Sequence, residues 1–225
     1  MQRRNSALAA YSPSQIPEPP LARFLFADRR MAIVWLIVRV YVGYQWLIAG
    51  LEKLTGVDYD FTSSAFGKPV IGGAWVFGPK TGAAITGFAT SALKQAGGAH
   101  PAVQDWYASF LRNLVLPNAS VWAYVITFGE VLVGAGLILG ALTGIAAFFG
   151  VVMNLNYLLA GTVSTNPILG VLSILIVLAW RIAGYYGLDR WLLPLLGTPW
   201  TGSLRNVATG EPPPPKETPH GMAPA

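Results

Sequence analysis

Cysteine is absent from this 225-residue sequence, and histidine occurs only twice. Without cysteine there are no disulfides, thiolate metal sites or dithiol relays, so any redox chemistry must use a cofactor or a partner. The two histidines, His100 and His220, have no further ligand residues at metal-binding spacing around them. The sequence therefore predicts neither a metal site nor a haem.

Charged residues are also scarce. They make up 11% of the chain, whereas a soluble domain carries about a quarter. Hydrophobic residues account for 53%, and the mean hydropathy is +0.49. This balance predicts an integral membrane protein in contact with the lipid bilayer. The net charge is +5, but the basic residues are scattered and form no basic helix, so we expect no nucleic-acid partner.

Four apolar stretches approach or reach the roughly 20 residues that a membrane-spanning helix needs. They predict an all-α membrane protein, a four-transmembrane-helix bundle, with spans at 31–51, 121–140, 143–161 and 167–187. Arginines precede the first span, so the positive-inside rule places the N-terminus in the cytoplasm, and an even number of spans returns the C-terminus there. We expect a multi-pass protein of a bacterial or archaeal plasma membrane, with disordered cytoplasmic tails at 1–30 and 188–225.

The segment between the first two spans, residues 52–120, is predicted to be an extracytoplasmic cap containing short helices. One helix is expected at about 82–96. Another begins near Pro101, because proline favours a first helical position and apolar residues follow at helical spacing, and it is expected to lie along the membrane surface. The cap either covers the bundle as a structural element or forms a lid over a site that opens outward.

An arginine and a glutamate lie within predicted spans. A rise of about 1.5 Å per residue places Arg39 about 18 Å from the outer end of the first span and Glu130 about 14 Å from the outer end of the second. A lone charge at the bilayer centre costs from about 3 to more than 10 kcal/mol, so such residues face the bundle interior and pair. The sequence therefore predicts an ion pair between Arg39 and Glu130.

Small and polar residues recur on one face of three of the spans. These stripes are Arg39, Gly43, Trp46, Gly50, Lys53; Ala123, Thr127, Glu130, Gly134, Leu137; and Ala147, Gly150, Asn154, Tyr157, Gly161. The polar residues either fix helix register or form a redox or ligand pocket. In the second interpretation Glu130 and Arg39 are the catalytic pair, with Glu130 as a proton relay, and Lys53 binds substrate at the mouth. The quinone-binding residues would be Trp46, Asn154 and Tyr157.

The chain resembles the DoxX family in two passages, "RVYVGYQWLIAGLEKL" and "FGEVLVGAGLILGALTGIAAFFGVVMNLNY". The similarity covers about 31–187, and by position the family motifs fall on Arg39, Gly50, Lys53, Gly129, Glu130, Leu137 and Gly140. This family includes the DoxD-type membrane subunit of thiosulfate:quinone oxidoreductases. The resemblance implies a membrane oxidoreductase subunit that passes electrons from a small donor, with thiosulfate as a candidate, to quinone. The long cap departs from short family members and leaves the substrate or partner open.

A different class of function stays open beside this one. Aromatic-rich surfaces, flexible tails and the lack of a dedicated electron carrier favour a non-catalytic accessory or scaffold subunit of a larger respiratory or photosynthetic membrane complex. Its partners would be other membrane protein subunits. A small transporter is less favoured, because no span is broken in mid-membrane and no inverted repeat is visible.

Overall fold

The computed structural model describes residues 19–196, and the named secondary-structure elements within this range are all helices. The helices are α1 (Pro20–Ala27), α2 (Ala32–Thr55), α3 (Ala83–Lys94), α4 (Asp105–Phe110), α5 (Ala119–Leu139), α6 (Thr143–Leu159), α7 (Asn166–Leu178), α8 (Trp180–Ala183) and α9 (Asp189–Leu195). Residues 1–18 and 197–225 lie outside the described range. Most of the two tails that are predicted to be disordered falls in these residues, as does His220.

The four long helices α2, α5, α6 and α7 pack side by side around a common interior. The longest interface joins α2 to α5, α6 packs on both α5 and α7, and α7 returns to α2. Glycines allow the closest approach: a Cβ atom added to Gly50 would lie 2.7 Å from the backbone nitrogen of Val131, and one added to Gly134 would overlap the backbone of Leu47. Because these contacts join backbone to backbone, larger residues would force α2 and α5 apart.

Two continuous helical stretches are long and apolar enough to cross a membrane, Arg29–Thr55 and Asp105–Leu139. The helices α6 and α7 are apolar but shorter, with 17 and 13 residues. The prediction of an unbroken fourth span over 167–187 is wrong, because the helix is interrupted at Ala179, where φ is −88° and ψ is 14°. The chain turns there as Trp180 packs against Gly144 of α6.

The predicted surface helix near Pro101 is also different in the structure. It begins at Asp105 and runs on into α5 as one 35-residue helix. The join is irregular, with a π turn at Leu111–Val115 followed by a 3₁₀ turn at Leu116–Asn118. Pro117 lies in this join and has no N–H to donate to the preceding turn, so the chain changes its hydrogen-bond spacing there instead of ending the helix.

Both predicted tails contain helices near the bundle. In the stretch predicted as a disordered tail, α1 packs its Phe26 ring on Trp35 at 5.7 Å, and the Leu25 carbonyl accepts a hydrogen bond of 2.8 Å from the Trp35 indole. In the C-terminal stretch predicted as a tail, α9 begins with Asp189, which is fully buried. Apolar residues between the prolines give these short segments a surface to pack, which composition alone does not reveal.

Residues 56–118 cover the end of the bundle where α2 stops and α5 starts, and we call this segment the cap. Its helix α3 lies where the sequence predicts a helix, and Ile85 and Ala89 of α3 pack against Tyr107 and Leu111 in a buried cluster. The end of the bundle beneath the cap is called the Lys53 end, and the opposite end is called the Arg39 end.

Candidate functional site

The carboxylate of Glu130 is the centre of a buried polar cluster at the Lys53 end. Glu130 is only 1% exposed. Oε2 accepts a hydrogen bond of 2.6 Å from the Lys53 ammonium, and Oε1 accepts one of 2.6 Å from the Tyr157 hydroxyl. Glu130 therefore joins a cation on α2 to a phenol on α6, and both carboxylate oxygens have partners.

The packing of α2 on α5 brings Lys53 to this carboxylate. Gly50 lies against the backbone of Glu130, since a Cβ atom at Gly50 would be 3.1 Å from the Glu130 carbonyl carbon. Lys53 follows Gly50 by one helical turn, so its side chain reaches across the interface. The cap covers Lys53. The Lys53 ammonium lies 5.0 Å from the centre of the Trp75 ring, and the backbone N–H of Trp75 donates to the Lys53 carbonyl at 2.7 Å.

Tyr157 connects this cluster to an apolar groove of about 720 Å³ between α5 and α6. Its ring stacks on Trp46 inside the bundle at a centroid distance of 6.4 Å and meets the edge of Phe88 in the cap at 6.0 Å. The groove extends beneath the cap and along both helices, and its lining includes Phe110, Trp122, Val125, Leu132, Phe149 and Met153. Tyr157 therefore presents one ring to an apolar groove and one hydroxyl to a buried carboxylate.

The predicted ion pair between Arg39 and Glu130 is wrong. Glu130 pairs with Lys53, and the residue of α2 that packs against the backbone of Glu130 is Gly50. Arg39 precedes Gly50 by eleven residues, or about 16 Å along the helix. Hydropathy located the spans but did not give the register between them, and the actual register places Arg39 opposite the last turn of α5.

Arg39 instead binds the C-terminal end of α5. The guanidinium donates to the carbonyls of Leu137 at 2.6 Å and Ile138 at 3.2 Å, and to the Tyr186 carbonyl at 3.4 Å. A cation there satisfies carbonyls that have no partner within the helix and is favoured by the helix dipole. This contact accounts for an arginine that is 1% exposed within an apolar segment.

Asp189 performs the opposite task at the beginning of α6. Its carboxylate oxygens accept hydrogen bonds from the backbone N–H groups of Leu142 at 2.5 Å and Thr143 at 2.8 Å. An anion at a helix N-terminus satisfies orphan donors and is favoured by the dipole. Arg39 and Asp189 thus hold the two ends of the turn between α5 and α6. Asp189 is not predicted as a functional residue from the sequence, because it follows the predicted last span and matches no motif.

The other two predicted quinone-binding residues lie deeper in the bundle than Tyr157. Trp46 and Asn154 are 3% and 1% exposed, and neither lines the apolar groove. The Trp46 indole nitrogen and both polar atoms of Asn154 have no hydrogen-bond partner among residues 19–196. The same is true of the hydroxyls of Thr127, Thr143 and Ser173. A buried polar group without a hydrogen bond costs about 1–3 kcal/mol. The bundle interior therefore contains several polar side chains that would gain stability from a further hydrogen-bond partner.

The cluster around Glu130 has the composition of a proton-handling site. Within residues 19–196, no three histidine, cysteine or acidic side chains come together in a group that would hold a metal ion. The groups present are an ammonium, a carboxylate and a phenol joined by hydrogen bonds of 2.6 Å. Such a chain can transfer a proton between its members and hold it beside the groove.

No curated protein and no solved structure matches the chain. The DoxX family model matches residues 101–162, which comprise part of the cap together with all of α5 and α6. Glu130 and Tyr157 both lie within the matched residues, as do the helices that form the walls of the groove. Over this segment the chain is similar to the DoxX family.

Proposed function

We propose that the protein is a membrane oxidoreductase subunit of DoxX type that helps to pass electrons from a small donor to quinone. The observation that carries this proposal is the hydroxyl of Tyr157, which belongs to a residue of the groove wall and donates to the buried carboxylate of Glu130 at 2.6 Å. A groove for an apolar ligand and a chain of proton-transferring groups thus share one residue.

The groove suits the apolar part of an isoprenoid quinone. Its volume of about 720 Å³ falls within the roughly 300–1,000 Å³ of typical ligand pockets. Aromatic and aliphatic side chains dominate its lining, and the polar members at the cap end are Tyr107, Asn156 and Tyr157. An apolar chain can therefore lie along α5 and α6 while a polar head group stays near the tyrosines.

The three clustered residues divide the proton chemistry among them. Bound quinone would accept two electrons and two protons, and two thiosulfate ions joining as tetrathionate would release those two electrons. Tyr157 would give its phenolic proton to the quinone, and the Lys53 ammonium would pass a proton through Glu130 to restore the phenol. The Lys53 side chain is 17% exposed, so it can take up a proton from solvent, and two such transfers would supply the two protons. Because Lys53 is paired with Glu130, we assign it to the proton-transferring cluster and not to the binding of a substrate anion.

The membrane arrangement belongs to the same proposal. We propose that α2, α5, α6 and the interrupted segment α7–α8 cross the bilayer, with the cap on the extracytoplasmic side. Support comes from the arginines at the Arg39 end of the bundle, which include Arg29 and Arg30 just before α2. Positive residues favour the cytoplasmic side of a membrane.

A matched pair of tryptophan substitutions tests the groove. Val125 and Val121 lie one turn apart on α5 and are 54% and 60% exposed, but only Val125 lines the groove. We expect the purified chain in lipid nanodiscs to bind decylubiquinone or a short-chain menaquinone saturably, read as quenching of tryptophan fluorescence. Val125→Trp is expected to weaken this binding strongly, and Val121→Trp to leave it unchanged. Equal affinity in both variants would remove the groove from the proposal.

Purification in a mild detergent separates this function from that of an accessory subunit. Quinone reduction by the isolated chain with thiosulfate, or with a donor found by screening, supports the oxidoreductase function. Stoichiometric co-purification with a large complex, without quinone binding in the nanodisc assay, would instead assign the chain to the accessory class. The two outcomes are read from the same preparation.

A further inference from the structure

Two tryptophans of α2 differ in how their indole nitrogens are satisfied. Trp35 and Trp46 are 4% and 3% exposed, so both are buried to the same extent. The Trp35 indole donates a hydrogen bond of 2.8 Å to the Leu25 carbonyl. The Trp46 indole has no partner among residues 19–196. Since an indole N–H has a single direction in which to donate, Trp46 points its only donor at a place where none of the described residues offers an acceptor.

That place is next to Gly150 of α6. A Cβ atom added to Gly150 would lie 3.3 Å from the Trp46 indole nitrogen and 3.5 Å from the hydroxyl oxygen of Ser173 on α7. Two unpartnered polar atoms from two different helices therefore converge on the side of α6 that carries no side chain. Glycine at this position keeps the space between them open.

Asn154 adds a third unpartnered side chain on the same face of α6. It follows Gly150 by one helical turn, and its Cβ and carboxamide carbon lie 3.7 Å and 4.0 Å from a Cβ built at Gly170 of α7. Its carboxamide offers both a donor and an acceptor, and neither has a protein partner within the described range. Donors and acceptors from α2, α6 and α7 thus surround one region of the bundle interior.

We propose that Trp46, Asn154 and Ser173 form an internal water-binding site beside Gly150. A buried water typically makes about three hydrogen bonds to otherwise unsatisfied polar groups, and these three side chains supply that number. The site needs both donor and acceptor ligands, because Trp46 can only donate whereas Asn154 and Ser173 can do both. Water is the smallest ligand that can bind all three side chains in the space that Gly150 leaves open.

This site goes beyond the proposed function, because nothing in its geometry requires quinone. It also lies close to the proton-handling cluster. Asn154 precedes Tyr157 by three residues on the same face of α6, and Trp46 stacks on the Tyr157 ring. Water held there would extend the polar interior from Glu130 and Tyr157 toward the middle of the bundle.

X-ray hydroxyl-radical footprinting with mass spectrometry tests the site, because radicals formed from bound water modify the side chains next to it. The wild-type chain in nanodiscs provides its own matched control. We expect Trp46 to be modified several-fold faster than Trp35, although both are equally buried. Equal protection of the two tryptophans would overturn the proposal, and this comparison needs no variant.

Substitution of the glycine then locates the water. Gly150→Ala places a methyl group between the Trp46 indole and Ser173, and the modification rate of Trp46 is expected to fall to that of Trp35. Gly170→Ala is the control, since its added methyl makes only an ordinary contact of 3.7 Å with Asn154 and is expected to leave the Trp46 rate unchanged. A rate that stays high in Gly150→Ala, or falls equally in both variants, would contradict a site at Gly150.

Discussion

The Lys53 ammonium lies 2.6 Å from Oε2 of Glu130, and it belongs to the helix turn that follows Gly50. The two side chains are 17% and 2% exposed, so the pair is largely removed from solvent. The close packing of Gly50 on α5 determines which cation reaches the carboxylate. One glycine contact therefore decides that Glu130 pairs with Lys53 and leaves Arg39 for another role.

A double-mutant cycle measures this pair. Lys53→Met or Glu130→Leu alone leaves a buried charge without its partner, and each is expected to lower the free energy of unfolding by about 3–5 kcal/mol. The double variant removes both charges and is expected to lose clearly less than the sum of the two single effects. Denaturant titration in detergent micelles provides the three values. Additive losses would show that the two side chains do not interact in the folded protein.

The turn between α5 and α6 makes a separate prediction about stability. Asp189→Ala removes the acceptor of two backbone N–H groups at the start of α6, which is expected to cost about 1–3 kcal/mol in the free energy of unfolding. Asp105→Ala is the matched control, because Asp105 also lies in the first turn of a helix but is exposed and makes no capping hydrogen bond. The control should stay within about 0.5 kcal/mol of wild type. Equal melting of the two variants would contradict the capping role of Asp189.

The glycine contacts between α2 and α5 make a third prediction, with two substitutions of identical chemistry. Gly134→Ala forces a methyl group into the backbone of Leu47, whereas Gly87→Ala on α3 meets nothing within 4 Å. We expect Gly134→Ala to lower the melting temperature markedly. Gly87→Ala is expected to raise stability by about 0.5–1 kcal/mol, because alanine loses less backbone entropy in a helix. A neutral Gly134→Ala would mean that the two helices are not in contact there.

The sequence predicts much of this architecture because its signals are local. Apolar runs locate the long helices to within a few residues at most ends, and the small-residue stripes place Gly43, Gly50 and Gly134 on faces that the structure buries. Register is a relation between two helices, and no single run contains it, so the partner of Glu130 was predicted wrongly. The break at Ala179 and the capping role of Asp189 depend on tertiary contacts, which hydropathy does not report.

Membrane topology is tested by cysteine labelling, and a chain without cysteine allows single-cysteine variants without background. Ala99→Cys in the cap and Leu21→Cys in α1 both place the thiol at exposed positions. We expect an impermeant maleimide to label Ala99→Cys in intact cells and to label Leu21→Cys only after the membrane is opened, since the arginines near α1 favour the cytoplasmic side. The reverse pattern would invert the proposed orientation. Labelling of both in intact cells would mean that the two ends of the bundle face the same side.

The proton relay makes the last prediction, and two tyrosines of the groove provide its control. Tyr157 and Tyr107 both line the groove, but the Tyr157 hydroxyl donates to Glu130 whereas that of Tyr107 donates to the Asn156 carbonyl at 3.0 Å. General acid–base catalysis typically contributes about 10²-fold or more to rate. We therefore expect Tyr157→Phe to lower donor-dependent quinone reduction by about that factor with little change in quinone affinity, and Tyr107→Phe to have a small effect.

Glu130→Gln completes the test, because glutamine keeps the size and much of the hydrogen bonding of glutamate but cannot take up and release a proton. The variant is expected to fold, to bind quinone in nanodiscs and to lose turnover as Tyr157→Phe does. A folded Glu130→Gln protein with unchanged turnover would remove the relay while leaving the groove in place. If no donor reduces quinone through the wild-type chain, the cluster of Lys53, Glu130 and Tyr157 is a structural joint between α2, α5 and α6, and the accessory-subunit function replaces the oxidoreductase.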